Sequence, residues 1–508
     1  MSSILLKNGL VLLHDDNDHV VPTLTSILIE DDKIVKIAKD LAPGASTEVV
    51  DCTDKIISPG FIDTHHHGWQ TQLKGRHANE LLMDYMISGN AQSCQYTAVD
   101  TFYGQIAGML EALTVGTTTL VDHAHVTMSP DHAKLAIAAT ATSGIRAVYC
   151  YTPIMRVKDF NPLSYYDNPL EDWVMQTFSE LASQGPFGNG RVSLGFAWDF
   201  WFLPPEAIKD VFAKVKEADV KIWTTHHVPR PQFGGGWPGG LLQILKAQGL
   251  LDERALISHA TGSSKADMDL IREAGAHVSS TPSTEMQMTH GRVVCFDAGF
   301  LDGGPTGNEA GIQDNASLGV DCHSNNSASI VAEARLGLQT ARLMYNEHYI
   351  KQGKSTHGLP KSLSVEAAFN LATIKGAEAV RMESEIGRIA EGYKADLVIF
   401  DALSPSMLAA AQHDAVAAIV LHSSPADIET VIVDGIVRTD HGQLSVLEVD
   451  EAAREAIGKE TLDWSDVASE VLRSRERMQK KMEQIDLRAG KSALLKSFGI
   501  DEAIFLDP

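Results

Sequence analysis

A chain of 508 residues, 44% hydrophobic and 21% charged, has the composition of an ordinary globular protein and the length for one large domain with a smaller companion. Its formal net charge of −24, with no offsetting basic cluster, argues against nucleic acid and anionic membrane surfaces as partners. No stretch approaches the roughly 20 apolar residues of a membrane span. The five cysteines (Cys52, Cys94, Cys150, Cys295, Cys322) are scattered without CxxC spacing, and the first residues show no apolar core followed by a small-residue cleavage site. A reduced, cytosolic protein is the expectation.

In chain order, residues 4–50 carry short apolar runs at 4–6, 11–13, 26–29 and 34–37. Asn8-Gly9 and Asp31-Asp32-Lys33 stand at turns between them, which predicts a small antiparallel sheet. From about residue 56 the texture changes. Strand-like runs at 57–63, 117–122, 145–151, 191–197, 219–225, 254–258, 276–280 and 316–321 are separated by helix-like stretches such as 101–114, 131–142, 205–217, 240–248, 265–273 and 328–344. Eight β-then-α units are what a (β/α)₈ TIM barrel requires, and the runs show little alternation, as strands buried on both faces should. An open doubly wound sheet is the alternative. After a helix at 364–381, strand texture returns at 396–400, 418–421 and 430–433 and, past the Asp434-Gly435 turn, at 436–437; these strands would complete the N-terminal sheet. Residues 450–485 read as a solvated helix or a dimer contact. The expected division is 1–55 and 384–447 for a composite β-sandwich, 56–383 for the barrel and 448–508 for a helical tail.

Four barrel runs end in metal-ligand residues: Thr64-His65-His66-His67, His226-His227, His259 and Asp321. Neutral imidazole and carboxylate are the ligands of catalytic zinc or iron, and three or four of them leave a position for water. The strand period of two puts His65 and His67 on one face, where one ion can take both, and turns the structural His66 away. Ligands at strand C-termini favour the barrel over the open sheet, because barrel active sites sit there. In strand five the choice between His226 and His227 stays open, since Ile222 and Trp223 fall on opposite faces. His123 and His125 mimic a second HxH at the same rim and read as loop or supporting residues, with a pocket role the alternative. Trp69, Gln70 and Gln72 directly follow the first ligands and would suit a flat heteroaromatic substrate, or else pack a loop. Residues 234–240, Gly-Gly-Gly-Trp-Pro-Gly-Gly, suggest a flap with Trp237 as its lid, or else an ordinary surface loop. His290, in the loop after strand seven, completes the expected pocket.

Pro59-Gly60-Phe61-Ile62-Asp63-Thr64-His65-His66-His67, Gly116-Thr117-Thr118-Thr119-Leu120, Gly319-Val320-Asp321 and the run Gly387 to Val398 occur in the right order around the right number of strands. Together they resemble the amidohydrolase superfamily, in its cytosine-deaminase, guanine-deaminase and triazine-hydrolase branch, over nearly the whole chain. The resemblance implies one divalent ion per chain, zinc with iron as the alternative, held by His65, His67, His226 and Asp321; the Thr-Thr-His run favours His226 over His227. It implies that His259 orients the attacking water, that Asp321 acts as base, and that the protein is a homodimer. Deaminases of this branch carry a glutamate three residues after the strand-five histidine, where this chain has Pro229 or Arg230. Glu285, elsewhere on the same rim, is the candidate to take over proton transfer or to bind a substrate amine. The expected activity is metal-dependent hydrolysis of a non-peptide C–N bond in a small cyclic or heteroaromatic substrate. The alternative at the same metal is hydrolysis of an ester, lactone or C–Cl bond, or an elimination or decarboxylation.

Overall fold

The computed structural model describes residues 3–229, 240–297 and 311–506. Strands β1 (Ser3–His14), β2 (Val20–Glu30), β3 (Lys33–Ala38), β4 (Glu48–Asp51) and β5 (Lys55–Pro59) lead into β6 (Phe61–His66), β7 (Thr117–Ala124) and β8 (Arg146–Tyr151). A hairpin, β9 (Val157–Phe160) and β10 (Leu163–Tyr165), precedes β11 (Val192–Ala197), β12 (Trp223–His227), β13 (Ala255–His259), β14 (His277–Ser280) and β15 (Ala316–Leu318). There follow β16 (Leu397–Asp401), β17 (Ile428–Val433), β18 (Ile436–Asp440) and β19 (Gln443–Leu444), and then a two-residue pair, Leu447–Glu448 with Thr461–Leu462.

Eight parallel strands run in the order β6-β7-β8-β11-β12-β13-β14-β15. Helices between them are set by local signals. Ala98–Thr114 begins in a Thr97/Asp100 capping box and is buried along most of its length. Lys265–Ala274 starts in a Ser264/Asp267 box and stops at Gly275, whose φ of 67° suits a residue without a Cβ. The barrel closes beyond the end of β15, where the Asp321 amide donates to the His65 carbonyl (2.7 Å) and the His67 amide donates to the Asp321 carbonyl (3.1 Å). The seam that shuts the barrel is therefore made by the residues expected to bind metal.

Gly319 lets that seam close. A Cβ there would meet the His65 Cβ and the Ser279 Oγ, each at 2.8 Å, and the His65 amide nitrogen at 2.9 Å. Gly319→Ala should cost about 1–3 kcal/mol of stability through overpacking and weaken metal retention together with it; urea denaturation and elemental analysis of the same preparation check both.

The β-rich domain is one nine-stranded sheet, β19-β18-β17-β16-β5-β1-β2-β3, with β4 on β1. β5 pairs in parallel with β1 and antiparallel with β16, so both ends of the chain are needed to build it. Ile4, Leu6, Val11, Ile27, Ile57, Leu397 and Ile399 bury one of its faces.

Two expectations need correction. Residues 418–421 are helical, not a strand: Asp414 accepts hydrogen bonds from the Val416 and Ala417 amides and starts a turn that continues through Ala418–His422. A short buried apolar run carries no period that separates strand from helix. The tail is not simply solvated, because Trp464–Met482 buries Val467, Ser474, Met478 and Met482, and Leu487–Ser497 buries Leu494 and Leu495. No helix among the described residues is long and apolar enough to cross a membrane.

Candidate metal centre

At the C-terminal mouth of the barrel, one ligand atom from each of His65, His67, His226 and Asp321 lies within 4.8 Å of all the others. The ring hydrogen bonds say which atoms face inward. His67 Nδ1 donates to the His123 carbonyl (2.7 Å), His65 Nδ1 pairs with Ser258 Oγ (2.8 Å), and His226 Nδ1 pairs with Asp199 Oδ2 (2.9 Å). Each Nε2 is then left for a metal. His65 and His67 Nε2 stand 3.3 and 2.9 Å from Asp321 Oδ1. The His65 Nε2 is buried with no hydrogen-bond partner, a cost that a bound cation removes. The donor set therefore fits a zinc-type ion.

Backbone strain collects here. His259, Ala260 and Asp321 all have positive φ (72°, 54° and 66°), which non-glycine residues adopt at a cost that the surrounding structure must meet. Burial raises the Asp321 carboxyl, but the close His65 and His67 imidazoles outweigh it and hold the group well below its ordinary range. Burial holds His65 well below its ordinary value and lowers His259 to about 4. Burial also lowers His226, and the Asp199 carboxylate beside it more than offsets that.

His226 and His227 project to opposite sides of β12, and only His226 joins the cluster. Behind it is Asp199, a residue the sequence reading missed. Its Oδ1 accepts from the His226 amide (2.9 Å) and Thr225 Oγ1 (3.1 Å), while Oδ2 orients the ring. The available signal was a lone carboxylate just past the C-terminal end of a barrel strand. Asp199→Ala should weaken metal binding about 10–100-fold, the usual effect of removing the partner that orients a ligand imidazole; competition with a chromogenic chelator measures it.

His259 lies at the cluster, its ring centroid 5.4 Å from that of His65 and 5.6 Å from that of His226. Its Nδ1 meets Thr281 Oγ1 at 3.0 Å. Glu285 sits behind it. The carboxylate accepts from the Thr281 amide (2.7 Å) and from Ser280 Oγ, and lies 3.8 Å from His259 Nδ1. That places it on the rear wall, where it reaches the chemistry only through His259.

Burial raises Glu285 from 4.5 to about 8, against the opposing hydrogen bonds from Thr281 and Ser280. Between those values the folded protein holds a proton that the unfolded chain has released. The stabilising contribution of the proton is thus complete below about pH 4.5 and lost as pH rises through about 8. Glu285→Gln should flatten the fall in thermal stability over that window. Glu333, raised in the same way, keeps part of the slope.

His290 stands 4.6 Å from His259, ring to ring, at the expected rim. Trp69 and Gln72 do not line the site. Trp69 is fully buried beside Tyr96, Met478 and Met482, and its indole donates to His125 Nδ1 (3.0 Å). The Gln72 amide donates to the Asp100 carbonyl (2.9 Å) and Ser474 Oγ (3.2 Å). Both residues brace the turn that follows the first ligands against the C-terminal helix. Gln70 is buried too, its amide donating to the Tyr85 hydroxyl at 2.7 Å. Trp237 lies outside the described residues. His66 pairs with Asp63 (2.8 Å) and stacks on His323, a structural place as expected. His123 belongs to strand β7 and not to a loop, and its ring faces the cavity 4.3 Å from that of His226.

With ligand histidines at one end of a closed parallel barrel, the fold and site define a metal-dependent hydrolase. Residues 56–437 match the Amidohydrolase family, and the chain belongs to that family. Among similar proteins, the 5'-deoxyadenosine deaminase of Methanobrevibacter smithii is 26% identical over 90% of this chain and 97% of its own length. The 5-methylthioadenosine/S-adenosylhomocysteine deaminase of Acetivibrio thermocellus is 25% identical over 88% and 96%. Two solved structures share the fold: a zinc-bound adenosine deaminase from Xanthomonas campestris (TM-score 0.75, 18% identity, 94% of this chain and 99% of that one) and the zinc complex of atrazine chlorohydrolase from Arthrobacter aurescens (TM-score 0.73, 18%, 93% and 100%).

Proposed function

We propose that the protein is a hydrolytic deaminase that replaces the exocyclic amino group of an adenine-type nucleoside by oxygen, using a catalytic zinc ion held by His65, His67, His226 and Asp321. The observation that carries this reading is the convergence of the His65 and His67 Nε2 atoms on the Asp321 carboxylate, with each opposite ring nitrogen already engaged. When bound, the ion supplies Lewis acidity and makes water acidic enough to lose a proton near neutral pH. Asp321, ionised and buried, takes that proton. His259, held by Thr281, orients the attacking oxygen toward the ring carbon that bears the amine. Asp321 then returns the proton to the departing nitrogen, so that water and the amine give an oxo product and ammonia. The full-length similarity to curated nucleoside deaminases supports the substrate class. Free cysteines throughout the described residues suit a reducing compartment such as the cytosol.

Pro229 gives a specific reason for a second reading. It stands three residues past His226, leaving no carboxylate there to protonate a leaving group, and chloride would leave without one. Assaying ammonia from adenosine, 5'-deoxyadenosine and 5-methylthioadenosine beside chloride from chlorotriazines separates the two. Ammonia from the nucleosides upholds deamination; chloride alone replaces it with dehalogenation. Neither product from a zinc-loaded preparation sinks both.

A further inference from the structure

We infer that the cavity holds a second, weaker site for a borderline divalent transition metal, of which zinc is the type, formed by His123 Nε2, Asp199 Oδ2 and His226 Nδ1. The three atoms form a compact group: Asp199 Oδ2 lies 3.2 Å from His123 Nε2 and 2.9 Å from His226 Nδ1, and all lie within 4.8 Å of one another. Imidazole nitrogens with one carboxylate suit zinc, cobalt and nickel better than magnesium or calcium, which take oxygen.

His123 supplies an independent observation. Its ring is fully buried, yet neither nitrogen has a hydrogen-bond partner, because the 3.2 Å approach to Asp199 lacks the alignment of a hydrogen bond. A buried imidazole left this way is costly, and a cation between it and Asp199 removes the cost. Asp199 is prepared for the role. Its Oδ1 is anchored by the Thr225 hydroxyl and the His226 amide, while Oδ2 faces the two rings, and its side chain remains 35% exposed toward entering solutes.

The site shares one ligand with the primary centre, His226, and it rests on the proposed zinc reading only for that residue's Nε2. Without the second ion, the His226 Nδ1 hydrogen is held by Asp199. Coordination by Nδ1 sends that proton to solvent, while His123 and the ionised Asp199 bind without losing one. The second ion therefore competes with a hydrogen bond that serves the first, which makes it the weaker of the two.

The test is zinc stoichiometry at buffered free zinc, by equilibrium dialysis and elemental analysis, on the full chain and on His123→Gln, whose residue lies outside the primary ligand set. Two zinc ions per wild-type chain, with the weaker lost in His123→Gln and the tighter kept, is the expected result. A wild type that saturates at one ion overturns the second site and leaves the first intact. Two ions retained in His123→Gln overturn the assignment, since the second zinc is then adventitious. No zinc in wild type removes the primary centre and this one together. Should His123→Gln fail to fold, cobalt titration of the wild type decides: a second cobalt absorption band supports the site, and its absence overturns it.

Discussion

Asp321→Asn is expected to lower kcat by about 10²–10⁴-fold, the range that a positioned acid–base group contributes, with zinc still bound by the three histidines. Asparagine preserves the shape of the residue and tolerates the positive φ at this position better than most side chains, so the barrel seam should survive. What it lacks is the capacity to take and return a proton. In the wild type the carboxylate stands against two imidazole nitrogens, which keep it ionised despite full burial. The measurement is ammonia or chloride release per bound zinc, beside the thermal unfolding midpoint. Turnover within about tenfold of wild type at equal zinc would show that the proton moves elsewhere. Loss of the folded state would mean that the seam depends on the charge itself.

The largest effect on stability should come from Arg146→Met, about 3–5 kcal/mol, the cost of breaking a buried ion pair by removing one partner. Arg146 opens strand β8 at the end of the barrel away from the metal. Its Nε and Nη2 donate to Asp396 (2.7 and 3.1 Å), and Nη2 also reaches Asp434 at 2.9 Å. Asp396 precedes β16 and Asp434 lies in the β17–β18 turn, so one guanidinium ties the barrel to the nine-stranded sheet. Methionine fills similar volume but leaves two carboxylates facing each other, with Lys394 and Arg191 the nearby remaining cations, 3.5 and 3.8 Å from Asp434. Urea denaturation should show the loss, and kcat of the folded fraction should stay near wild type because no metal ligand is touched. A drop under about 1 kcal/mol would mean that water, Lys394 or Arg191 takes over the pair.

The parts legible in the sequence were those whose signal is local. Eight apolar runs and the His65/His67 spacing needed nothing beyond strand periodicity, and Asp321 stood out as a carboxylate at a strand end. Where a distant partner decides, periodicity was silent, and only the family resemblance favoured His226. His226 rather than His227 follows from Asp199, 27 residues upstream, and Asp199 means nothing until β11 and β12 lie side by side. Trp69 and Gln72 looked like pocket residues because they follow the ligands, but a helix some 400 residues later claims them. Glu285 was found on the right rim, yet the direction of its carboxylate depends on the turn into the helix Pro282–Gln287. Residues 418–421 failed for another reason: four apolar residues, three of them buried, fit a helix as well as a strand.

That late helix also bears on how the protein is made. Every proposed metal ligand has been synthesised once residue 321 is reached, but Ser474, Met478 and Met482, which brace the turn after the first pair, do not yet exist. Nor does β16, which must pair with β5 immediately before the first ligand strand. A nascent chain therefore carries a full set of ligands well before it has the framework that spaces them. Zinc captured in that interval would meet loose histidines with no imposed geometry. Faithful loading belongs after release, when the last helices have locked the first turn in place.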